Sequence, residues 1–310
     1  MDIKEVIPKE NDYLARLSVL EKPPERLYYY GDLPKCSGEM RPNPRFPSES
    51  VGRPKTVAIV GARKMTAYGE TVAFRFAKEL AALGVIIVSG MAVGIDAAAH
   101  RGALAAGGRT IAFLGTPINN IYPAENEKLF CGILENGGAV LSEIPADGKY
   151  YPKTSFLERN RLIAGVADAV VIVEADLRSG SLNTAAHALE QGVPLFAVPG
   201  DVTRQMSRGC NGLFNKGASA AVSVEDILNA ILPGSIRLQR KQKIELFGST
   251  PDETAVLRVL ATGITEGEEI VGKIARDDQK FDFSRFNIAI TMLEVRGIVK
   301  RELGNQWILA

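Results

Sequence analysis

The chain has 310 residues, of which 46% are hydrophobic and 24% charged, and its formal net charge at pH 7 is +1. This composition is typical of a globular protein and excludes a disordered or fibrous chain, and no apolar run is long enough to cross a bilayer. Three cysteines argue against a disulfide framework or a zinc cluster, and a start without an apolar stretch predicts a cytoplasmic protein with no secretory signal.

The first 50 residues contain seven prolines and little periodicity, so we interpret residues 1–50 as an extension, a shortened helical lead-in. Residues 51–233 alternate short β-branched runs with segments of helical spacing. Runs that are apolar throughout are typical of parallel strands buried on both faces. Six such strands joined by five helices predict an α/β fold, an extended Rossmann-like, doubly wound parallel sheet. The strands are expected at 56–60, 85–89, 110–114, 139–142, 169–174 and 194–198, and the helices near 67–83, 96–106, 125–136, 157–167 and 182–191.

The remainder of the chain predicts a linker and a small domain. Residues 234–250 carry four basic residues and one acidic residue without clear periodicity, which indicates a basic linker. Residues 251–310 predict three helices followed by a hairpin, the pattern of a winged-helix domain. This domain has eight basic and ten acidic residues, a net charge of −2. Any nucleic-acid site must therefore be a local cluster of cations rather than a broad basic face.

The loop after the first predicted strand combines a glycine with two cations, Gly61, Arg63 and Lys64. Gly61 permits a tight turn with free backbone N–H groups, and Arg63 adds a fixed positive charge, which is an arrangement that binds phosphate. The loop matches neither the dinucleotide fingerprint nor a Walker loop. The alternative interpretation is a glycine turn that contacts no ligand.

Further loops of small residues follow the other predicted strands. Ligands of open α/β sheets bind at the carboxyl ends of the strands, so these loops are expected to converge on one edge. Glycines allow a backbone to approach a ligand closely, and small residues before a helix form an anion-binding nest. The residues that we expect at this edge are Gly90 and Gly94, then Ser179, Gly180, Ser181 and Thr184, and a last loop at 209–212.

Residues 149–161 contain four cations and three aromatic residues but a single acidic residue. This mixture fits a groove that follows a single strand and offers it a stacking surface. The alternative is a solvated helix start in which Phe156 belongs to the core. The members of this segment that we expect to contact DNA are Lys153, Phe156, Arg159, Asn160 and Arg161.

Ordered motifs run through most of the chain: Val60-Gly61-Ala62-Arg63, Ser89-Gly90-Met91-Ala92-x-Gly94-Ile95-Asp96-x-x-x-His100, Tyr122-Pro123-x-x-Asn126, Phe156-x-x-Arg159-Asn160-Arg161, Ser179-Gly180-Ser181-Leu182-x-Thr184-Ala185 and Val198-Pro199-Gly200. Together they resemble the motifs of the DprA/Smf family of DNA-processing proteins. The resemblance implies a Rossmann-like core that binds single-stranded DNA, forms a homodimer and delivers the strand to a RecA-type recombinase, as in natural transformation. It also implies that Arg63 and Lys153 contact phosphate and Phe156 contacts a base. Arg159 and Arg161 lie in the family's Arg-Asn-Arg signature, where they either contact DNA or support the loop.

The main alternative is an enzyme, a nucleotide-processing Rossmann protein like the lysine-decarboxylase-like phosphoribohydrolases. Those enzymes carry a catalytic Glu in a Gly-Gly-x-Gly-Thr-x-x-Glu loop, whereas the comparable loop here, 179–187, has no acidic residue at the matching place. The general acid/base role is then unfilled, so we predict no catalysis, no cofactor and no metal. A third alternative, a transcription factor that uses the terminal domain, fits poorly with an acidic domain.

Overall fold

The computed structural model describes residues 2–36, 53–232, 248–261, 264–301 and 305–309. The chain folds into two compact units, Met1–Pro233 and Gly234–Ala310. The predicted basic linker, residues 234–250, lies almost entirely outside the described residues. The finer division of the chain into an extension, a core, a linker and a C-terminal domain therefore stays a prediction.

The first unit is built around a nine-stranded sheet with the order β1-β2-β6-β5-β4-β3-β7-β8-β9. The strands from β3 to β9 pair in parallel, whereas β1 and β2 add to one edge in antiparallel orientation. All residues of β3 to β8 are buried, as the continuous apolar runs predict, so the mixed α/β fold is confirmed. The strands are β1 Lys4–Val6, β2 Leu27–Gly31, β3 Thr56–Val60, β4 Ile86–Ser89, β5 Thr110–Leu114, β6 Ala139–Ser142, β7 Ala169–Ile172, β8 Leu195–Ala197 and β9 Ser219–Ala220.

In the described part of this unit, seven α-helices cross between or follow these strands. They are α1 Ala67–Ala82, α2 Ile95–Ala105, α3 Glu127–Glu135, α4 Pro152–Val166, α5 Ser181–Glu190, α6 Gln205–Phe214 and α7 Val224–Ile231. The chain runs from β3 outward through β4, β5 and β6, and then returns to place β7 on the other side of β3. This reversal creates a switch point between β3 and β7, where open α/β sheets form their ligand crevice.

The chain before β3 differs from the predicted helical lead-in. Its described residues, 2–36, contribute two strands to the sheet and two short 3-10 helices, Pro8–Glu10 and Ala15–Val19. Tyr13 is fully buried, and its hydroxyl lies 3.1 Å from the hydroxyl of Thr56 at the start of β3. The sequence pattern predicts no strand here because β2, with the sequence Leu-Tyr-Tyr-Tyr-Gly, is only half-buried and lacks the continuous apolar run of an inner strand.

The predicted anion-binding loop at 209–212 is wrong, because these residues belong to α6. Gly209 lets the helix lie against the end of β7: a Cβ at this position would come within 2.6 Å of the carbonyl oxygen of Ala175. The N–H of Gly209 donates to that oxygen at 2.8 Å. Gly209 therefore serves close packing, and two glycines in ten residues hid the helix from the sequence pattern.

The described residues of the second unit form three helices and a two-stranded antiparallel sheet. The elements are α8 Pro251–Ala261, α9 Gly267–Ile274, α10 Phe283–Val295, β10 Val299–Arg301 and β11 Trp307–Leu309. Its core includes Phe286, which packs edge-to-face on Trp307 at 5.4 Å between ring centroids. The winged-helix assignment stays a prediction. In neither unit do the described residues form a helix long and apolar enough to span a membrane.

Candidate functional site

An open groove of about 770 Å³ lies at the carboxyl ends of the parallel strands. Its walls come from the loop between β3 and α1, the loop between β7 and α5, and the first half of α4. This volume lies within the range of about 300–1,000 Å³ that is usual for ligand pockets. The lining residues that the sequence predicts as DNA contacts are Gly61, Arg63, Lys64, Phe156, Arg159, Asn160, Ser179, Gly180, Ser181 and Thr184.

The loop that carries Arg63 and Lys64 is anchored at both ends by Glu174. The N–H of Ala62 donates to the Glu174 carbonyl at 2.7 Å. The buried Glu174 carboxylate accepts hydrogen bonds from the Thr66 N–H at 2.8 Å and the Thr66 hydroxyl at 2.6 Å. Thr66 in turn caps α1. Arg63 and Lys64 project from this fixed loop into solvent, and neither forms a salt bridge with another described residue.

Gly90 and Gly94 support this loop from beneath. Gly94 has a φ of +85°, and a Cβ at this position would lie 2.3 Å from the Ala62 carbonyl oxygen. A Cβ on Gly90 would lie 2.6 Å from a guanidinium nitrogen of Arg159. Both positions therefore require glycine for packing within the protein, and neither is among the residues that line the groove. Their contact with DNA stays a prediction.

Arg159 is buried behind the groove and holds two loops together. Its guanidinium donates to the Gly90 carbonyl at 2.8 Å and also to the Phe113 carbonyl. Burial lowers the pKa of Arg159 to about 10, and the nearby Asp96 opposes that shift. Asp96 accepts the N–H of Gly90 at 3.0 Å, and burial raises the pKa of its carboxyl. Arg159 thus remains charged at neutral pH, with its hydrogen bonds directed to the protein itself.

Phe156 stands at the mouth of the groove beside Arg63. The guanidinium carbon of Arg63 lies 5.2 Å from the centroid of the Phe156 ring, and the Tyr122 ring centroid lies at 5.6 Å. The ring sits on Gly115, where a Cβ would come within 2.5 Å of it. Phe156 is half-buried, so one part of the ring faces the groove. The Arg63 cation and the aromatic ring of Phe156 therefore lie together at the mouth of the groove.

The loop before α5 forms the other wall of the groove. The hydroxyl oxygens of Ser179 and Ser181 lie 2.8 Å apart, and the position above Gly180 is open, since a Cβ there would meet no atom within 4 Å. The Asn160 side chain ties this wall to α4, because its amide donates to Asn183 at 3.2 Å and to the Gly180 carbonyl at 3.4 Å. Thr184 is buried in the first turn of α5.

Beyond Gly90 and Gly94, one further predicted residue with a described side chain, Arg161, does not line the groove. Arg161 points away from it and pairs with both carboxylate oxygens of Glu143, at 2.7 and 2.9 Å. Lys153 lies in the first turn of α4, but its side chain is outside the described residues. The lining residues that the sequence analysis did not place among the DNA contacts include Tyr122 and Arg178. Tyr122 belongs to one of the ordered motifs and Arg178 directly precedes another, which is the signal that could have identified them.

Fold and groove together define a Rossmann-like α/β protein with an open cationic and aromatic site at the switch point of its sheet. The family model described as DNA recombination-mediator protein A matches residues 47–232. The chain belongs to this family, as the motifs predict.

Curated relatives carry the family's names. Protein Smf of Escherichia coli (strain K12) is 44% identical over 174 residues, which cover 56% of this chain and 46% of that protein. DNA processing protein DprA of Streptococcus pneumoniae is 38% identical over 216 residues, 68% of each chain. The chain thus spans about half the length of the Escherichia coli relative.

Two solved structures share the fold. DNA processing protein A from Helicobacter pylori has a TM-score of 0.60 and 33% identity over 75% of this chain and 96% of that chain, and it was studied for its single-stranded DNA binding mode. The Streptococcus pneumoniae protein has a TM-score of 0.61 and 35% identity over 74% of each chain.

Proposed function

We propose that this chain binds single-stranded DNA in the groove and acts as a recombination mediator without altering the DNA chemically. The observation that carries the proposal is the contact between the Arg63 guanidinium and the Phe156 ring, 5.2 Å from its centroid, at the mouth of the groove. A cation beside a ring can bind a phosphate and stack the adjoining base at one point. A relative with 33% identity, from Helicobacter pylori, binds single-stranded DNA.

The groove suits a strand of any sequence. Arg63 and Lys64 are exposed, so they attract the phosphate backbone, which is the same for every base. The half-exposed ring of Phe156 can accept any base, since every base has a π-face. In our proposal Lys153 adds a further phosphate contact, while Arg159 and the two glycines, Gly90 and Gly94, keep the Arg63 loop in shape.

We further propose that the protein works as a homodimer and delivers the bound strand to a RecA-type recombinase. Both parts rest on membership in the recombination-mediator family. Light scattering of the purified chain measures its oligomeric state, and the rate of recombinase filament formation on coated single strands measures delivery. A monomer, or a filament rate that the protein leaves unchanged, would remove the corresponding part of the proposal.

The alternative of a nucleotide-processing enzyme needs a free carboxylate in the groove. Of the lining residues, two are acidic, and both are engaged. Asp96 is buried against Gly90 and Arg159. Asp176 accepts hydrogen bonds from Gln205 and from the Leu177 N–H, each at 2.7 Å, and these bonds lower its pKa. An enzyme of this class needs a carboxyl that exchanges a proton with the substrate, and we propose that neither the buried Asp96 nor the hydrogen-bonded Asp176 has this role.

One set of measurements tests the proposed function. Fluorescence anisotropy with a labelled single strand, with the matching duplex and with AMP as a competitor ranks the three ligands. We expect tight binding of the single strand, weaker binding of the duplex and poor competition by AMP. We also expect no free base when AMP or NAD is incubated with the protein. Release of base in proportion to protein concentration would establish the enzyme instead.

A further inference from the structure

The groove has a second cationic end, at the carboxyl end of β7, whose arginines are not among the proposed contacts. Arg178 lines the groove and its side chain is exposed. Arg208, exposed on α6, lies near the same point, since both arginines act electrostatically on Asp176. Neither arginine forms a salt bridge with a described residue. Two guanidinium groups therefore remain available to an anion at this end.

An exposed apolar side chain accompanies these cations. Leu177, next to Arg178, is 64% exposed. The hydrogen bonds of Asp176 to the Leu177 N–H and to Gln205 fix the short loop that carries both residues. A positive charge beside an apolar surface can hold a nucleotide, because the charge attracts its phosphate and the apolar surface can pack against its base or sugar.

The two ends are separated by a known number of strands. Phe156 rests on Gly115, which directly follows β5, whereas Arg178 follows β7. The order β5-β4-β3-β7 places three strand spacings between them, or roughly 14 Å at about 4.8 Å per spacing. A stacked strand advances about 3.4 Å per nucleotide, so this gap takes at most about four nucleotides, and fewer when the strand is extended.

We infer that a single strand crosses the sheet edge from the aromatic end to the arginine end, with Arg178 binding a phosphate up to about four nucleotides from the base that stacks on Phe156. Tyr122, which is 45% exposed and lies against Phe156, provides a second aromatic surface at the first end. The inference rests on the proposed function and adds to it a direction across the groove and a minimum length of ligand.

Binding of oligothymidylates of increasing length, from two to about twelve nucleotides, tests the path. In the parent we expect affinity to rise in a step once the strand can reach Arg178. Arg178→Ala should bind a dinucleotide as the parent does but bind longer strands about tenfold more weakly or worse, because a hydrogen bond to a charged group is lost. Its log–log salt dependence with long strands should fall by about 0.7, the share of one phosphate.

Two variants complete the experiment. Arg75→Ala is the matched control, because Arg75 is an exposed arginine on α1 outside the groove, and it should follow the parent at every length. Phe156→Ala should weaken binding at all lengths. If the affinity of Arg178→Ala depends on strand length and on salt as that of the parent does, the inference is overturned and the proposed function is left intact. A parent that binds no single strand at any length would overturn both.

Discussion

Arg63 and Phe156 are in contact, so the charge and the aromatic surface of the site depend on each other. The Arg63 guanidinium lies over the Phe156 ring, and Arg159 lies on the same ring at 6.0 Å. Cation–π pairs at exposed sites contribute about 0.5–1 kcal/mol, so Arg63 also helps to orient the ring. Substitutions of the two residues should therefore not be additive, as expected for neighbours in contact.

The two residues should nevertheless respond differently to salt. Arg63→Ala removes one phosphate contact, so the log–log salt dependence of single-strand binding should flatten by about 0.7. Phe156→Ala removes a stacking surface, which costs about 1–3 kcal/mol per base with little change in that slope. Anisotropy titrations across a salt series measure both quantities. The sequence predicts for Lys153→Ala the same flattening as for Arg63→Ala.

Two controls distinguish a loss of DNA binding from a loss of folding in the Arg63 and Phe156 variants. Phe156 is half-buried on Gly115, so its variant must keep the parental melting temperature before a loss of affinity counts as stacking. Arg75→Ala removes an equal charge outside the groove. If Arg63→Ala and Phe156→Ala fold normally and bind like the parent, the DNA does not use this edge of the sheet.

The residue types of the site could be predicted from the sequence, but whether each side chain is buried or exposed could not. The turn at Gly61 and the cation at Arg63 follow from the position of a glycine after a strand. Arg159 has the same charge as Arg63, yet it is buried under Gly90 while Arg63 is exposed. Which arginine reaches solvent depends on packing between α4 and two loops that are distant in the chain, and no local pattern records that.

At the scale of elements, a buried polar cluster joins α2, α4 and β5 behind the groove. The hydroxyl of Thr110 donates to the Ile87 carbonyl at 2.7 Å and lies 2.7 Å from Nδ1 of His100. Because that hydroxyl hydrogen is engaged, Nδ1 must carry the proton of a neutral imidazole. Nε2 of His100 is buried and finds no partner among the described residues. Burial, aided by the charge of Arg159, lowers the pKa of His100 to about 3.

The stability of the fold should therefore depend on His100 below neutral pH. An unfolded histidine has a pKa near 6.5, well above the folded value of about 3, so the unfolded state binds more protons in this interval. The neutral imidazole thus contributes stability above pH 6.5 that is lost as the pH falls toward 3. Between pH 7 and pH 5 the loss is about 2 kcal/mol from this group.

Chemical denaturation at a series of pH values measures this effect. His100→Gln can still donate a hydrogen bond to Thr110 but cannot be protonated, so its unfolding free energy should fall by about 2 kcal/mol less than that of the parent between pH 7 and pH 5. Asp96, whose pKa is raised by burial, is present in both proteins and cancels in the comparison. Equal pH dependence in the two proteins would mean that His100 titrates normally in the fold.

The inner elements could be predicted because their burial is complete. The predicted bounds of β3, β5 and β6 agree with the structure, since each is an apolar run between polar residues. β2, next to the edge strand β1, was missed because its three tyrosines are half-buried. Its sequence therefore shows neither the continuous apolar run of an inner strand nor a strict alternation of apolar and polar residues. β9 has two exposed residues and no sequence pattern at all. The pattern thus predicts strands where both faces are covered and fails at the edges.

At the scale of the whole molecule, charge is distributed unevenly along the C-terminal part of the chain, with a basic stretch at 234–250 followed by an acidic segment at 251–310. Residues 251–310 have eight basic and ten acidic residues, whereas all residues that line the groove belong to the first unit. A net charge of −2 repels a polyanion at low ionic strength. Residues 251–310 are thus better suited to contact a protein partner than to extend the DNA site, whatever their fold family.

Deletion of residues 251–310 should accordingly leave most of the single-strand affinity intact. Every proposed phosphate and base contact remains, so the salt dependence should not flatten, and removal of two net negative charges should tighten binding slightly at low salt. Anisotropy titrations of the full chain and of the shortened chain measure both effects. A loss of affinity beyond about tenfold, or roughly 1.4 kcal/mol, would contradict the assignment, provided that circular dichroism shows the first unit still folded. If the shortened chain loses its folded spectrum as well, the second unit is required to stabilise the first, and the groove must then be tested in the full chain through Arg63→Ala and Arg178→Ala alone.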